Sequence, residues 1–162
     1  MLNKPDKFGI KFWMLADSSS KYMCNAMPYL GKDDSRSAND TLASHVVLKL
    51  SEPYLNKGRN VTTDNFFTTN ELAKKLKTTK TSMVGTVNRI RRQIPQEIKK
   101  MKAELYATPV LENDGNLLVV YQGKRSKKVL LLSTMHTGAQ ITGGEKKNFL
   151  NLSNFTTKLG QA

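Results

Sequence analysis

Cysteine occurs once in these 162 residues, at Cys24, so the chain can build neither a disulfide framework nor a thiolate zinc site of its own. Histidine is almost as scarce. His45 and His136 are far apart and carry no metal-site spacing, so a helix-surface role is expected for His45 and a strand-end role, with a nucleic-acid contact as the alternative, for His136. Long apolar runs are missing too. The opening Met-Leu-Asn-Lys-Pro-Asp-Lys is not the start of a signal peptide, and no segment reaches membrane-spanning length, so an intracellular protein without membrane attachment is expected. A Gly-rich phosphate loop, a nucleophile elbow and an HExxH pair are all lacking, and no small-molecule substrate is expected.

Acidic residues are also few: 13 against 26 Lys and Arg, a formal net charge of +13, with a pI of about 9.9. The imbalance is regional. Residues 1–64 hold 9 basic and 7 acidic side chains, whereas residues 65–162 hold 17 and 6. A polyanion such as a nucleic acid is one partner this charge suits, and a merely solvated basic surface is the other reading. At 38% apolar and 24% charged residues, the composition is that of a folded segment, and the length suits one domain.

Residues 8–16 begin by alternating apolar and polar and then turn continuously apolar, as a strand entering a core does. Asp17-Ser-Ser-Ser20 is turn chemistry and residues 21–30 read as the returning strand, which predicts a hairpin, followed by a polar loop over 31–39. Asp40 or Thr41 can cap a helix with apolar positions Leu42, Val46, Val47 and Leu50, ending near Pro53. A β-prone run, Arg59 to Thr63, leads directly to Asp64. Thr68-x-x-Glu71 has capping-box spacing before a helix with Leu72, Ala73 and Leu76 on its apolar side. Thr81 to Asn88 is a further predicted strand in which Gly85 marks a bulge or a close approach. Pro95 can open a short helix. Leu117–Tyr121 and Val129–Ser133 predict a hairpin with a basic tip, and Gly138 to Asn148 reads as a polar linker.

An aspartate at the carboxyl end of a strand, just before a helix, occupies the place where open α/β sheets set ligand-binding groups. Asp64 has that position, although an Asp-Asn pair after a strand also makes an ordinary turn or cap. The candidate phosphate-binding side chains are Arg89, Arg91, Arg92, Lys99 and Lys100, then Lys124, Arg125, Lys127 and Lys128, with Lys102, Lys146 and Lys147 in the same neighbourhoods. Several short basic patches favour binding to a nucleic-acid backbone, independent of sequence and steeply salt-dependent.

Six segments occur in an order and spacing that resemble the landmarks of piggyBac-type DNA transposases. They are Asn3-Lys-Pro5, Lys7-Phe-Gly-Ile-Lys11, Met27-Pro-Tyr-Leu-Gly31, Asp64-Asn-Phe-Phe-Thr68, Val84-Gly-Thr-Val87 and Leu132-Ser-Thr134. The resemblance runs from about residue 2 to the C-terminus. It implies an α/β chain with a partial ribonuclease-H-like fold lacking the first strand: residues 1–88 as catalytic core, 89–145 as a basic, mostly β insertion, and 146–162 as a return to the core.

The family's three aspartates hold two divalent cations, Mg²⁺, for DNA cleavage and strand transfer. Asp64 matches the second of them and is therefore the implied catalytic and metal-binding residue. The first lies upstream of the Asn-Lys-Pro landmark, and neither Asp6 nor Asp17 replaces it. Thr157-Lys-Leu-Gly-Gln-Ala162 resembles the motif before the third, but has Ala162 where the acid belongs. The expectation is a fragment or decayed copy of a nuclear DNA transposase, inactive alone, less stable than its length suggests and prone to homo-oligomeric association. The alternative is a non-catalytic basic nucleic-acid-binding protein derived from one.

Overall fold

The computed structural model describes residues 9–31, 36–37, 40–101, 104–105 and 107–136, and the backbone of 141–144 and 147–150. Asn3-Lys-Pro5, Asp6, most of the 31–39 loop, Lys102, Glu145, Lys146 and the Thr157 to Ala162 motif lie outside the described residues. The chain divides into two compact units, residues 1–55 and 56–162.

In the first unit, β1 (Phe12–Ala16) and β2 (Met23–Pro28) form the expected antiparallel hairpin. Asp17 makes its turn: Oδ2 accepts from the Ser20 amide at 2.7 Å and from the Ser20 hydroxyl at 2.6 Å, and those bonds hold its carboxyl below the usual carboxylate range. Helix α1 (Leu42–Ser51) packs on both strands. Its cap is Thr41, whose Oγ1 accepts from the Ser44 amide at 3.2 Å. A short 3-10 turn, Glu52–Tyr54, carries Pro53 where the missing amide costs nothing. Asn25 Nδ2 donates to the Leu50 carbonyl at 3.0 Å and the Tyr54 hydroxyl to that of Cys24 at 3.2 Å, which ties the helix end to β2.

The second unit is a mixed five-stranded sheet of order β3-β4-β7-β6-β5, comprising β3 (Asn60–Thr63), β4 (Ser82–Val87), β5 (Val110–Asn113), β6 (Asn116–Lys124) and β7 (Lys127–Ser133). Only β3 and β4 run parallel, and parallel neighbours need a crossover. Helix α2 (Asn70–Thr78) supplies it and packs Leu72, Ala73 and Leu76, all fully buried, on β4. The core continues through Met83, Val119, Val120 and Leu130. Because β7 is hydrogen-bonded to β4, the sheet crosses residue 88 without a break. Helix α3 (Gln96–Lys100) follows Pro95 and buries Ile98.

Three expectations need correction. The cap of α2 is Thr69, not Thr68: Thr69 Oγ1 accepts from the Leu72 amide at 3.0 Å, whereas the Thr68 hydroxyl is taken by the Asp64 carbonyl at 2.7 Å and the Thr63 hydroxyl at 2.8 Å. Replacing Thr69 by alanine is accordingly expected to lower stability by about 1 kcal/mol, and by serine to leave it nearly unchanged, as thermal unfolding will read. Strand β5 is an unforeseen addition. It turns into β6 through Asp114-Gly115, both at positive φ (52° and 67°), the backbone that an Asp-Gly hairpin turn needs. Finally, the segment read as a linker forms a third sheet, with β8 (Ile141–Gly144) paired to β9 (Lys147–Leu150) across two intervening residues. Its glycines suggested a linker, but Thr142 opposite Phe149 is a pairing of β-prone types.

Candidate nucleic-acid interface

Strand β3 ends at Thr63 and the chain turns at Asp64, which directs its own turn. Asp64 Oδ1 accepts from the Phe66 amide at 2.9 Å and from the Phe67 amide at 3.4 Å, while its carbonyl accepts from the Thr68 amide at 3.0 Å. Turn-former and exposed carboxylate are thus one residue, because among the described residues Oδ2 has no hydrogen-bond partner.

Beneath this loop Gly85 lies opposite Thr63 in the parallel register. A Cβ there would fall against Thr68 Oγ1, and 2.5 Å from both the carbonyl and the hydroxyl oxygen of Thr63. The close approach expected at Gly85 is therefore the contact that seats the Asp64 turn on the sheet.

The chain leaving β4 reaches back to the same loop. Arg91 Nη2 donates to the Asn65 carbonyl at 3.1 Å and to the Phe66 carbonyl at 2.6 Å. Lys128 is used similarly: Nζ donates to the carbonyls of Ile98, Lys99 and Met101 at 3.0, 3.1 and 2.6 Å, spending all three protons on the C-terminal end of α3. Both were candidates for phosphate contact, and both are engaged with backbone. Arg89, Arg92, Lys100, Lys124, Arg125 and Lys127 are exposed, and Lys99 is half-buried.

At the carboxyl ends of β3 and β4 lies a cleft of about 370 Å³ lined by Asn65, Thr86, Asn88, Arg89, Ser126, Lys127 and Lys128, among others. It gathers the Asp64 loop, the segment after β4 and the β6–β7 tip into one basic concavity. The tip is tight, with Lys124 paired to Lys127, so only Arg125 and Ser126 span it, after a bulge at Gly123. The charged side chains of its lining, Arg89, Lys127 and Lys128, are all of one sign.

Sequence reasoning overlooked three contributors. Asn65 and Asn88 join the cleft lining, and Phe66, next to Asp64, is a large apolar residue left 47% exposed. Their signal was adjacency to Asp64 and Arg89. Outside the cleft, His136 Nδ1 meets the Ser133 hydroxyl at 2.7 Å, and burial holds its imidazole below the ordinary histidine value. His45 is half-buried on α1.

Among the described residues no three His, Cys, Asp or Glu side chains come together to hold a metal ion. Asp64 is the carboxylate of this loop, and one of its oxygens already accepts from two amides. The described donor set does not fit a two-cation centre. Nor, among the described residues, is any helix long and apolar enough to cross a membrane.

The family model described as Transposase IS4 matches residues 1–151, and the chain belongs to that transposase family. Its likeness there is to piggyBac transposase. The cryo-EM structure of that enzyme in a synaptic complex with hairpin DNA superimposes with a TM-score of 0.82 at 35% sequence identity. The match covers 96% of this chain and 32% of the other, so the chain spans about a third of that transposase.

Proposed function

We propose that this chain is a piggyBac-type transposase core segment whose own activity is binding the backbone of DNA in the cleft beside Asp64. The observation that carries this reading is the convergence of Arg89, Lys127, Asn65 and Asn88 in one concavity at the carboxyl end of the parallel pair. Arg92, Lys100, Lys124 and Arg125 extend the positive surface, while Arg91 and Lys128 shape it from within.

In this reading residues 1–88 belong to a partial ribonuclease-H-like core, residues 89–145 are a basic insertion, and residues 146–162 return to the core. Among the described residues β3 lies at the edge of the five-stranded sheet, and an unpaired strand edge favours self-association. Asp64 descends from a metal ligand of a DNA cleavage and strand-transfer site. With the described acids it does not form that site, so no chemical step is assigned to this chain. A nuclear location follows from the same reading.

Fluorescence anisotropy of the 162-residue chain on a DNA duplex tests the proposal. The logarithm of the affinity should fall linearly with the logarithm of salt concentration, by about 0.9 per phosphate neutralised. Arg89→Ala combined with Lys127→Ala should weaken binding and reduce that slope by about 2, while Asp64→Ala leaves both intact. Salt-independent binding, or none at low salt, would overturn the reading.

A further inference from the structure

Among the described residues that line the basic cleft, two carry a hydroxyl, Thr86 and Ser126. Thr86 lies inside β4, paired to Leu131 of β7, where its backbone is fixed in the sheet. Ser126 is at the opposite extreme. It sits on the two-residue tip between β6 and β7, is exposed, and among the described residues its hydroxyl has no hydrogen-bond partner. Neither Arg125 nor Ser126 takes a positive φ, so the turn is not one that calls for Gly, Asn or Asp, and its geometry does not account for a serine. Cations flank that serine in the chain, Lys124 and Arg125 before it and Lys127 and Lys128 after it. Arg89 enters the same cleft from the segment after β4, and no acidic side chain lines it among the described residues.

An exposed hydroxyl amid cations is an acceptor for phosphoryl transfer. A protein kinase with an acidic substrate groove is complementary to it, because four cations stand within two residues of Ser126. The tip can be taken up without dismantling the sheet. Register slips at Gly123, which leaves the Lys124–Lys127 pair as the last of the ladder, able to open by itself. We propose that Ser126 is a phosphorylation site for a protein kinase that selects serines among Lys and Arg, and that its phosphate then occupies the cleft in place of a DNA phosphate. In the transfer the Ser126 Oγ–P bond forms while the bond from the terminal phosphorus of ATP to its bridging oxygen breaks. ADP leaves, and the hydroxyl proton passes to a base of the kinase. The new group carries a charge of about −1.5 to −2 at neutral pH and three acceptor oxygens. Beside Arg89 and Lys127 it forms charge-assisted hydrogen bonds within the chain, which withdraws both cations from a nucleic acid. Tethering favours this internal phosphate over one arriving from solution. The proposal rests on the DNA-binding reading above and gives that site a regulator.

The test treats the full chain with the catalytic fragment of protein kinase C and ATP, locates the modified residue by mass spectrometry, and follows duplex binding by anisotropy. Phosphate should appear on Ser126, weaken binding on the order of tenfold, and lower the salt slope by about 2, and a phosphatase should reverse both changes. The same treatment should leave the affinity of Ser126→Ala where it was. Without any kinase, Ser126→Glu should bind more weakly than Ser126→Gln. No modification at Ser126 would overturn the proposal, as would full modification with an unchanged affinity. If the untreated chain binds no duplex, the DNA-binding reading falls, and the internal pairing is judged by phosphorus NMR of the modified chain. Its resonance should be displaced from that of a free phosphoserine peptide and should return to it when Arg89→Ala and Lys127→Ala are combined. An undisplaced resonance would overturn the pairing whether or not the chain binds DNA.

Discussion

Gly85→Ala is expected to destabilise the second unit by about 3 kcal/mol, a large share of the roughly 5–15 kcal/mol that holds a domain together. The added methyl would meet Thr68 Oγ1 and both oxygens of Thr63. A flexible side-chain tip could swing aside, but the Thr63 carbonyl is backbone at the end of the β3–β4 ladder. Moving it breaks sheet pairing. The urea midpoint of the glycine-to-alanine variant should therefore drop well below that of the parent. Adding Thr68→Ala should recover only part of the loss, since the Thr63 clash remains. An unchanged midpoint for Gly85→Ala would mean that the loop does not sit on β4 as described. Because Thr63 and Thr68 flank Asp64, strain here is also strain on the acid.

Leu72→Ala should cost about 2–5 kcal/mol, for a different reason. Leu72 is 0% exposed on the face of α2 that packs on β4, beside Ala73 and Leu76, which are buried to the same degree. Truncation leaves a cavity that a helix pinned at both ends cannot close: Thr69 caps it on one side, and Thr79 returns its amide to the Leu76 carbonyl at 3.0 Å on the other. Chemical denaturation should show a lower midpoint with an unchanged slope. A loss below about 1 kcal/mol would contradict the burial assigned to this helix. Lys74→Ala, which removes an exposed 3.8 Å ion pair with Asp114, provides the contrast and should change little.

These expectations differ in how far the sequence anticipated them. The apolar face of α2 was visible because Leu72, Ala73 and Leu76 recur at helical spacing. Gly85 was visible because a glycine inside a β-prone run is a local anomaly. The cap was misplaced by one residue: Thr68 and Thr69 are chemically equal candidates, and what separates them is that Thr68 is drawn to the Asp64 carbonyl and the Thr63 hydroxyl. The Asp114-Gly115 turn carried a recognisable local signal that went unread.

Arg91 and Lys128 are a different case. Nothing in a run of Arg and Lys distinguishes a side chain bound for phosphate from one bound for a carbonyl, because both targets are oxygen acceptors for the same N–H donors. Only the folded backbone brings the Asn65 and Phe66 carbonyls to Arg91, and the end of α3 to Lys128. The pairing of β4 with β7 is likewise invisible in the chain, since ladder hydrogen bonds join main-chain groups that every residue possesses.

What the sequence determined by itself was family and local form: the ordered landmarks around Asp64, the two hairpins flanking the helices, the excess of positive charge. These depend on residue type and spacing, which the chain carries directly. Tertiary structure decided which basic groups remain available at the cleft, and that an exposed phenylalanine stands beside them. Those properties depend on which carbonyls and rings lie within a few ångströms, and distances of that kind exist only once the backbone has folded.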